Sequence, residues 1–497
     1  MRLQEPADVL EQLNRFDDPD ASMLQTAVFL ATPSFTHWLD IDNDFLTKAV
    51  HQLFSHQVDG ASKVRTISAI VDRVPSDSKP RMEDAGVGNE GISILLTYQA
   101  VRSSPAGSDT AEAAPKKSYV RFVSEASKKE QCVALPLANT LFYNGHHSTS
   151  FEDLWQRNYL QEIGIRFDRT SRVPLKSFDI PTSKLQNPFF LGIPMVPLTP
   201  PREVASSMGN VIRELKRGDT GEPFPASTEL EAAVSKLLSS SWLTDAARNC
   251  FTVFALTTRK DFYDGAKSQI RTGIWPPVRK QVLQGLLQGQ ARMSRVTGGG
   301  GGWGNKKGLL SLEPGDNLFD SQYSQQLPLP QEGEAYNLES TFSVVSPRDN
   351  VQFFAIFPGT QRSPKQKYRP LDWVMERNAE EEVRFGDESY LRDRFPRIVI
   401  GTNPPEDQYP ATPIDVTQSG DILRFLPHCF GMFSQGGACL GRANDKTGST
   451  IFTSRLDIPY TNIVVEARSD FREAGTVVRY ILPSDADGSG IPESKKN

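Results

Sequence analysis

Three patterns follow one another between residues 25 and 74, and they restrict the fold more than any other feature of the chain. Residues 25–31 (QTAVFLA) form a compact apolar run of strand length, suited to a strand covered on both faces. From 42 to 58 the apolar residues Phe45, Leu46, Ala49, Val50, Leu53 and Phe54 recur at helical spacing, with Asp42 as the expected N-cap. Gly60 then supplies a stop signal, and residues 64–74 (VRTISAIVDRV) read as a second strand. Strand, helix and strand with short joints predict a right-handed βαβ unit, preceded by an acidic helix over 7–16 and followed by a strand over 92–98.

At 497 residues the chain is too long for one ordinary core, and at roughly 150 residues per domain it predicts two to four units. The first, 1–172, is an α/β domain with further strands at 119–123 and 132–137. The polar stretch 102–117 (RSSPAGSDTAEAAPKK) is a flexible insertion in it, since such a composition buries too little apolar surface to order itself. The second unit, 173–308, opens with prolines at 174, 181, 188, 194, 197, 200 and 201, which forbid a regular helix and predict an extended, surface-hugging connection. Helical patterns at 203–216, 228–238 and 277–295 follow, broken by a strand at 250–256. Short alternating runs at 338–345, 351–357, 382–385, 397–400, 421–426, 462–467 and 476–482 predict a β-rich C-terminal unit over 309–497. The expected class is mixed α/β: a βαβ-containing N-terminal domain, a mixed central region and a β-rich C-terminal unit.

A net charge of −5 gives no whole-chain field favouring polyanions, so broad nucleic-acid coating is excluded and RNA contact would need a local basic patch. No stretch approaches the roughly 18–20 consecutive apolar residues that span a bilayer. The N-terminus turns acidic at once, without a secretory core or an organellar presequence, which predicts a cytoplasmic location, or the mitochondrial matrix if translation begins upstream of this sequence. Four cysteines, Cys132, Cys250, Cys429 and Cys439, make no disulfide framework.

The stretch with the clearest physical function available to it is Val296-Thr297-Gly298-Gly299-Gly300-Gly301-Gly302-Trp303-Gly304-Asn305-Lys306-Lys307-Gly308. Backbone without Cβ atoms can turn several N–H groups toward one anion. A nucleotide P-loop is excluded, because Asn305 stands where lysine is required and because a helix is expected ahead of the tract instead of a strand. The missing strand also excludes a Rossmann fingerprint. What remains is an anion nest. Arg292 and Arg295, placed on the last turns of the preceding helix, and Lys306 and Lys307 supply charge, Gly299, Gly300 and Gly301 supply amides, and Trp303 can stack on a ring or base. The competing reading is a hinge with Trp303 packed as an anchor.

Elsewhere the residues converge less. His428, Cys429, Cys439 and Ser434 lie in a glycine-rich stretch, but without paired zinc-ligand spacing or a hydrolase elbow, so the thiols read as buried and structural. His146 and His147 follow an Asn-Gly turn and are expected at an exposed bend. The basic run 362–369 and the acidic run 380–382 read as solvated surface.

No metal site and no identifiable cofactor emerge. Because no acid, base or nucleophile stands at catalytic spacing, the expected function is a non-catalytic intracellular binding or assembly protein with protein partners, contacting an anionic ligand or RNA through residues 298–308. The alternative is an enzyme on a phosphorylated or anionic small molecule that uses the same loop as a clamp.

Overall fold

The computed structural model describes residues 6–13, 26–54, 63–76, 88–97, 101–106, 118–124, 130–160, 164–182, 189–193, 195–239, 251–263, 280–299, 308–313, 345–356, 397–404, 421–443, 450–466 and 471–481. About 57% of it is strand and 19% helix, so the fold is mixed and β-rich, and the expected α/β class narrows to one local unit. That unit is helix α1 (Pro6–Leu13), strand β1 (Thr26–Ala31), helix α2 (Phe45–Phe54) and strand β2 (Lys63–Ile70), with β1 and β2 parallel and Val28 opposite Ile67. Every residue of β1 is buried, as a strand covered on both faces requires. All six apolar residues named above for α2 are buried, each large one contributing about 1.5–3 kcal/mol. The side-chain oxygen serving the start of α2 belongs to Asn43, whose Oδ1 accepts the Phe45 N–H at 2.8 Å; this replaces the expected cap at Asp42.

Strand β3 (Glu90–Thr97) adds antiparallel to β1, and β4 (Arg102–Pro105), β5 (Tyr119–Ser124), β6 (Gln131–Pro136), helix α3 (Leu141–Asn144), β7 (Ser150–Leu160) and β8 (Gly164–Pro181) follow. Part of the expected flexible insertion is thus strand β4, paired with β8, while residues 107–117 lie outside the described ones. Next come β9 (Phe189–Gly192), β10 (Met195–Pro197), β11 (Arg202–Met208), β12 (Val211–Lys216), β13 (Pro223–Pro225), helix α4 (Ala226–Leu238), β14 (Thr252–Thr258), helix α5 (Lys280–Gln288), β15 (Ala291–Gly299), β16 (Leu310–Leu312) and β17 (Asn350–Ile356). The last seven strands are β18 (Arg397–Thr402), β19 (Asp421–Pro427), β20 (Cys429–Ser434), β21 (Ala438–Ala443), β22 (Thr450–Leu456), β23 (Asn462–Glu466) and β24 (Phe471–Ile481).

Among the described residues three sheets result. The largest has the order β19-β24-β3-β1-β2-β7-β8-β5-β6-β21-β22, with β4 on β8, and so draws its strands from both ends of the chain. A small sheet, β20-β18-β23-β9, does the same. The third is contiguous in sequence: β17-β11-β12-β16-β15-β14 closes through the β14–β17 pairing into a six-stranded antiparallel barrel, with β10 and β13 attached at its sides. The expected divisions at 172/173 and 308/309 fall inside β8 and between the paired strands β15 and β16.

Two expected helices change identity. Residues 203–216 form the β11–β12 hairpin, closed by the two-residue turn Gly209-Asn210, where Gly209 has φ +62° and Met208 faces Val211. Register shifts on either side of Ser206 break the period-two alternation, which is why the segment imitates a helix. The helix expected over 277–295 ends at Gln288, and its last five residues are in strand β15. The proline-rich segment is extended as expected but is internal: Phe178, Ile180, Leu191, Ile193, Met195 and Leu198 are buried.

A barrel of six strands is too narrow for a ligand, and its interior is filled by side chains. Val204, Leu215, Ala255, Leu310, Leu312, Val351, Phe353 and Ala355 form that core, and Ala226, Leu230 and Leu237 of α4 join it. On the outer face Phe254, Leu256, Met293 and Phe354 pack with Leu283, Leu286 and Leu287 of α5 and with Ile398, Ile400, Phe430 and Met432 of the small sheet.

Candidate functional site

The glycine tract lies between two paired strands of the barrel. β15 runs to Gly299, the chain returns at Gly308, and β16 pairs back with Gly299 opposite Leu310, Gly298 opposite Ser311 and Val296 opposite Leu312. The helix expected ahead of the tract is therefore a strand. The returning end is fastened: Gly308 has φ +87°, a Cβ there would lie 2.7 Å from the Pro225 Cβ, and the Gly308 carbonyl accepts the Ser227 N–H at 3.1 Å. That bond satisfies one of the amides that a helix leaves open in its first turn.

Between α4 and the adjoining ends of β14, β15 and β16 lies an open groove of about 630 Å³. Its apolar wall is Leu230, Val234, Phe251, Val253, Val296 and Leu310. Hydroxyls come from Ser227, Ser235, Thr252 and Thr297, backbone from Gly298 and Gly299, and charge from Arg295 and Glu231. No protein-family model, no curated protein and no solved structure matches the chain. An apolar wall with a few convergent polar groups is the usual make-up of a small-molecule site.

Of the residues singled out from the sequence, Arg295 and Gly299 line this groove. Gly300, Gly301, Trp303, Lys306 and Lys307 lie outside the described residues. Arg292 is not brought to it. Arg292 pairs with Thr257, which also pairs with Val351 of the barrel interior, whereas Arg295 pairs with Phe254 of the outer core. The two arginines therefore occupy opposite faces of β15, three residues apart. On the helix expected from the sequence, residues three apart would have shared a face.

Polar chemistry elsewhere is mostly structural. Cys132, Cys429 and Cys439 are buried on strands with no disulfide among the described residues, and burial pushes the Cys132 thiol up to about 12. Cys250 lies outside the described residues, as do the runs 362–369 and 380–382. His428 is a turn residue with φ +56°, and His146 and His147 are exposed beyond α3. Among the described residues no cluster of three or more His, Cys, Asp and Glu side chains could hold a metal. No described helix is long and apolar enough to cross a membrane. Sequence reasoning missed the α4 wall, although the pairing of Leu230 and Val234 with the small hydroxyl residues Ser227 and Ser235 on one helix was a readable signal.

Proposed function

We propose that this chain is a non-catalytic binding protein whose groove beside the glycine tract takes a small ligand with an apolar body and an anionic end. The observation that carries the proposal is the meeting of Arg295, Gly298 and Gly299 with the apolar side chains of α4 and β14 in one groove. The apolar wall accepts the body, and Arg295, with Lys306 and Lys307 close by in sequence, accepts the charge. Among the described lining residues Glu231 and Arg295 are the ionisable side chains, and no histidine or cysteine stands beside the groove's hydroxyls, which favours binding over catalysis. An RNA backbone fits less well: tracking several phosphates needs several cations along the groove, and the described lining has one.

Anilinonaphthalene sulfonate, an apolar ring system with one fixed negative charge, tests the reading beside its uncharged analogue phenylnaphthylamine. Replacing Lys306 and Lys307 with Ala is expected to weaken sulfonate binding by about fivefold or more while leaving the uncharged analogue unchanged, as loss of charge-assisted contacts predicts. Equal sulfonate affinity in the variant would remove the anionic end from the proposal.

A further inference from the structure

The end of β14 and β15 remote from the groove carries a second set of charged groups. Arg259 follows directly on Thr258, and its N–H bonds the Gln290 carbonyl at 2.9 Å, continuing the β14–β15 ladder. Thr258 pairs with both Ala291 and Asn350, so Arg259, Arg292 and Asp349 cluster at this end of three adjacent strands. Pairing also fixes the face. Thr257, Arg292 and Val351 are opposite one another, Val351 belongs to the barrel interior, and Arg259 and Asp349 lie two residues on from Thr257 and Val351. The two arginines and the aspartate thus rim the mouth of the barrel on its inward register.

Among the described residues two cations and one carboxylate meet there. Among the described residues neither guanidinium makes a salt bridge or a side-chain hydrogen bond, and the one carboxylate within electrostatic range, Asp349, has its Oδ2 on the Ser346 N–H at 2.9 Å. Desolvation, and then the neighbouring Arg259, hold Arg292 below its ordinary pKa although its side chain keeps an exposed position on β15. Two forked cations held together without a bridging anion are the usual partner of a tetrahedral oxyanion, whose spread of oxygens and double charge match two guanidinium planes.

We propose that Arg259 and Arg292 form a binding site for a compact phosphate-class oxyanion at this second mouth of the barrel. Because Ala255 and Phe353 fill the barrel behind them, the anion sits in the mouth and does not enter. A single carboxylate is the poorer match, since its one charge and two oxygens serve one guanidinium fork.

Calorimetric titration of the full chain with inorganic phosphate, beside acetate, tests this directly. Phosphate is expected to bind more tightly than acetate, and Arg259→Gln and Arg292→Gln are each expected to weaken phosphate by about tenfold or more, the usual effect of losing a charged hydrogen-bond donor. Phosphate binding that is lost in the Lys306 and Lys307 double Ala variant and kept in both arginine variants would belong to the groove and would overturn the proposal. Circular dichroism and the urea midpoint confirm that each variant is folded. The proposal is overturned if the parent chain binds no phosphate, if acetate binds as tightly, or if both arginine variants keep the parent affinity.

Discussion

The Ser227 N–H donates to the Gly308 carbonyl at 3.1 Å, so the end of the glycine tract is fastened to the first turn of α4. This bond fixes where the tract rejoins the barrel, and it sets the return beside the helix that walls the groove. Gly308 reaches that position at φ +87°, where an added Cβ would meet Pro225.

Gly308→Ala should loosen this junction. The added Cβ would meet the Pro225 Cβ at 2.7 Å on a backbone conformation that L residues disfavour. Urea unfolding is expected to show a loss of about 1–3 kcal/mol. Unchanged stability would mean that the fastening is incidental.

Leu310 is almost fully buried in the barrel interior and also lines the groove. Leu310→Ala should cost about 2–5 kcal/mol in the same experiment, as deletion from a packed core does. Met208, 63% exposed on β11, serves as the contrast, and Met208→Ala should stay within about 0.5 kcal/mol of the parent.

Burial raises the Asp349 carboxyl above its ordinary range, against the opposing effects of the Ser346 N–H, Arg259 and Arg292. For an acid the sign is then fixed. The native state binds the proton more tightly than the unfolded chain does, so the unfavourable contribution is absent below the unfolded value near pH 4 and grows as pH rises through the folded value. Asp349→Asn keeps an oxygen for Ser346 and should be at least as stable as the parent at neutral pH, with the difference vanishing in acid. A variant less stable at neutral pH than in acid, relative to the parent, would contradict this assignment.

Buried thiols should not react in the native state. With Cys132 pushed up to about 12 and Cys429 and Cys439 also buried, an aromatic disulfide reagent near pH 8 should label these three only after denaturation. Mass-spectrometric mapping of the labelled positions reads the outcome, and native labelling of Cys439 would show that its strand opens.

Local periodicity carried the elements that were legible from the sequence. The βαβ unit could be read because α2 keeps a helical period over its length, β1 is a continuous apolar run of strand length and β2 is rich in β-branched residues. The β11–β12 hairpin could not, because its register shifts blur the alternation, although Gly209-Asn210 marked the turn. Pairings such as β24 with β3 and β21 with β6 join opposite ends of the chain and leave no local trace. The candidate site divides in the same way. Arg295 and Gly299 were found through the tract itself, Arg292 was grouped with them only because a helical period was assumed, and the α4 wall depends on barrel closure through β14 and β17.

The most direct measurement of the groove as a binding site is titration of Val234→Trp with anilinonaphthalene sulfonate. Val234 lines the groove from α4, and the larger ring occupies the space that the ligand body would take. Binding is predicted to weaken by at least about tenfold, or 1.4 kcal/mol, with Met208→Trp, outside the groove, binding like the parent. A folded Val234→Trp variant that binds the probe as tightly as the parent would contradict the account.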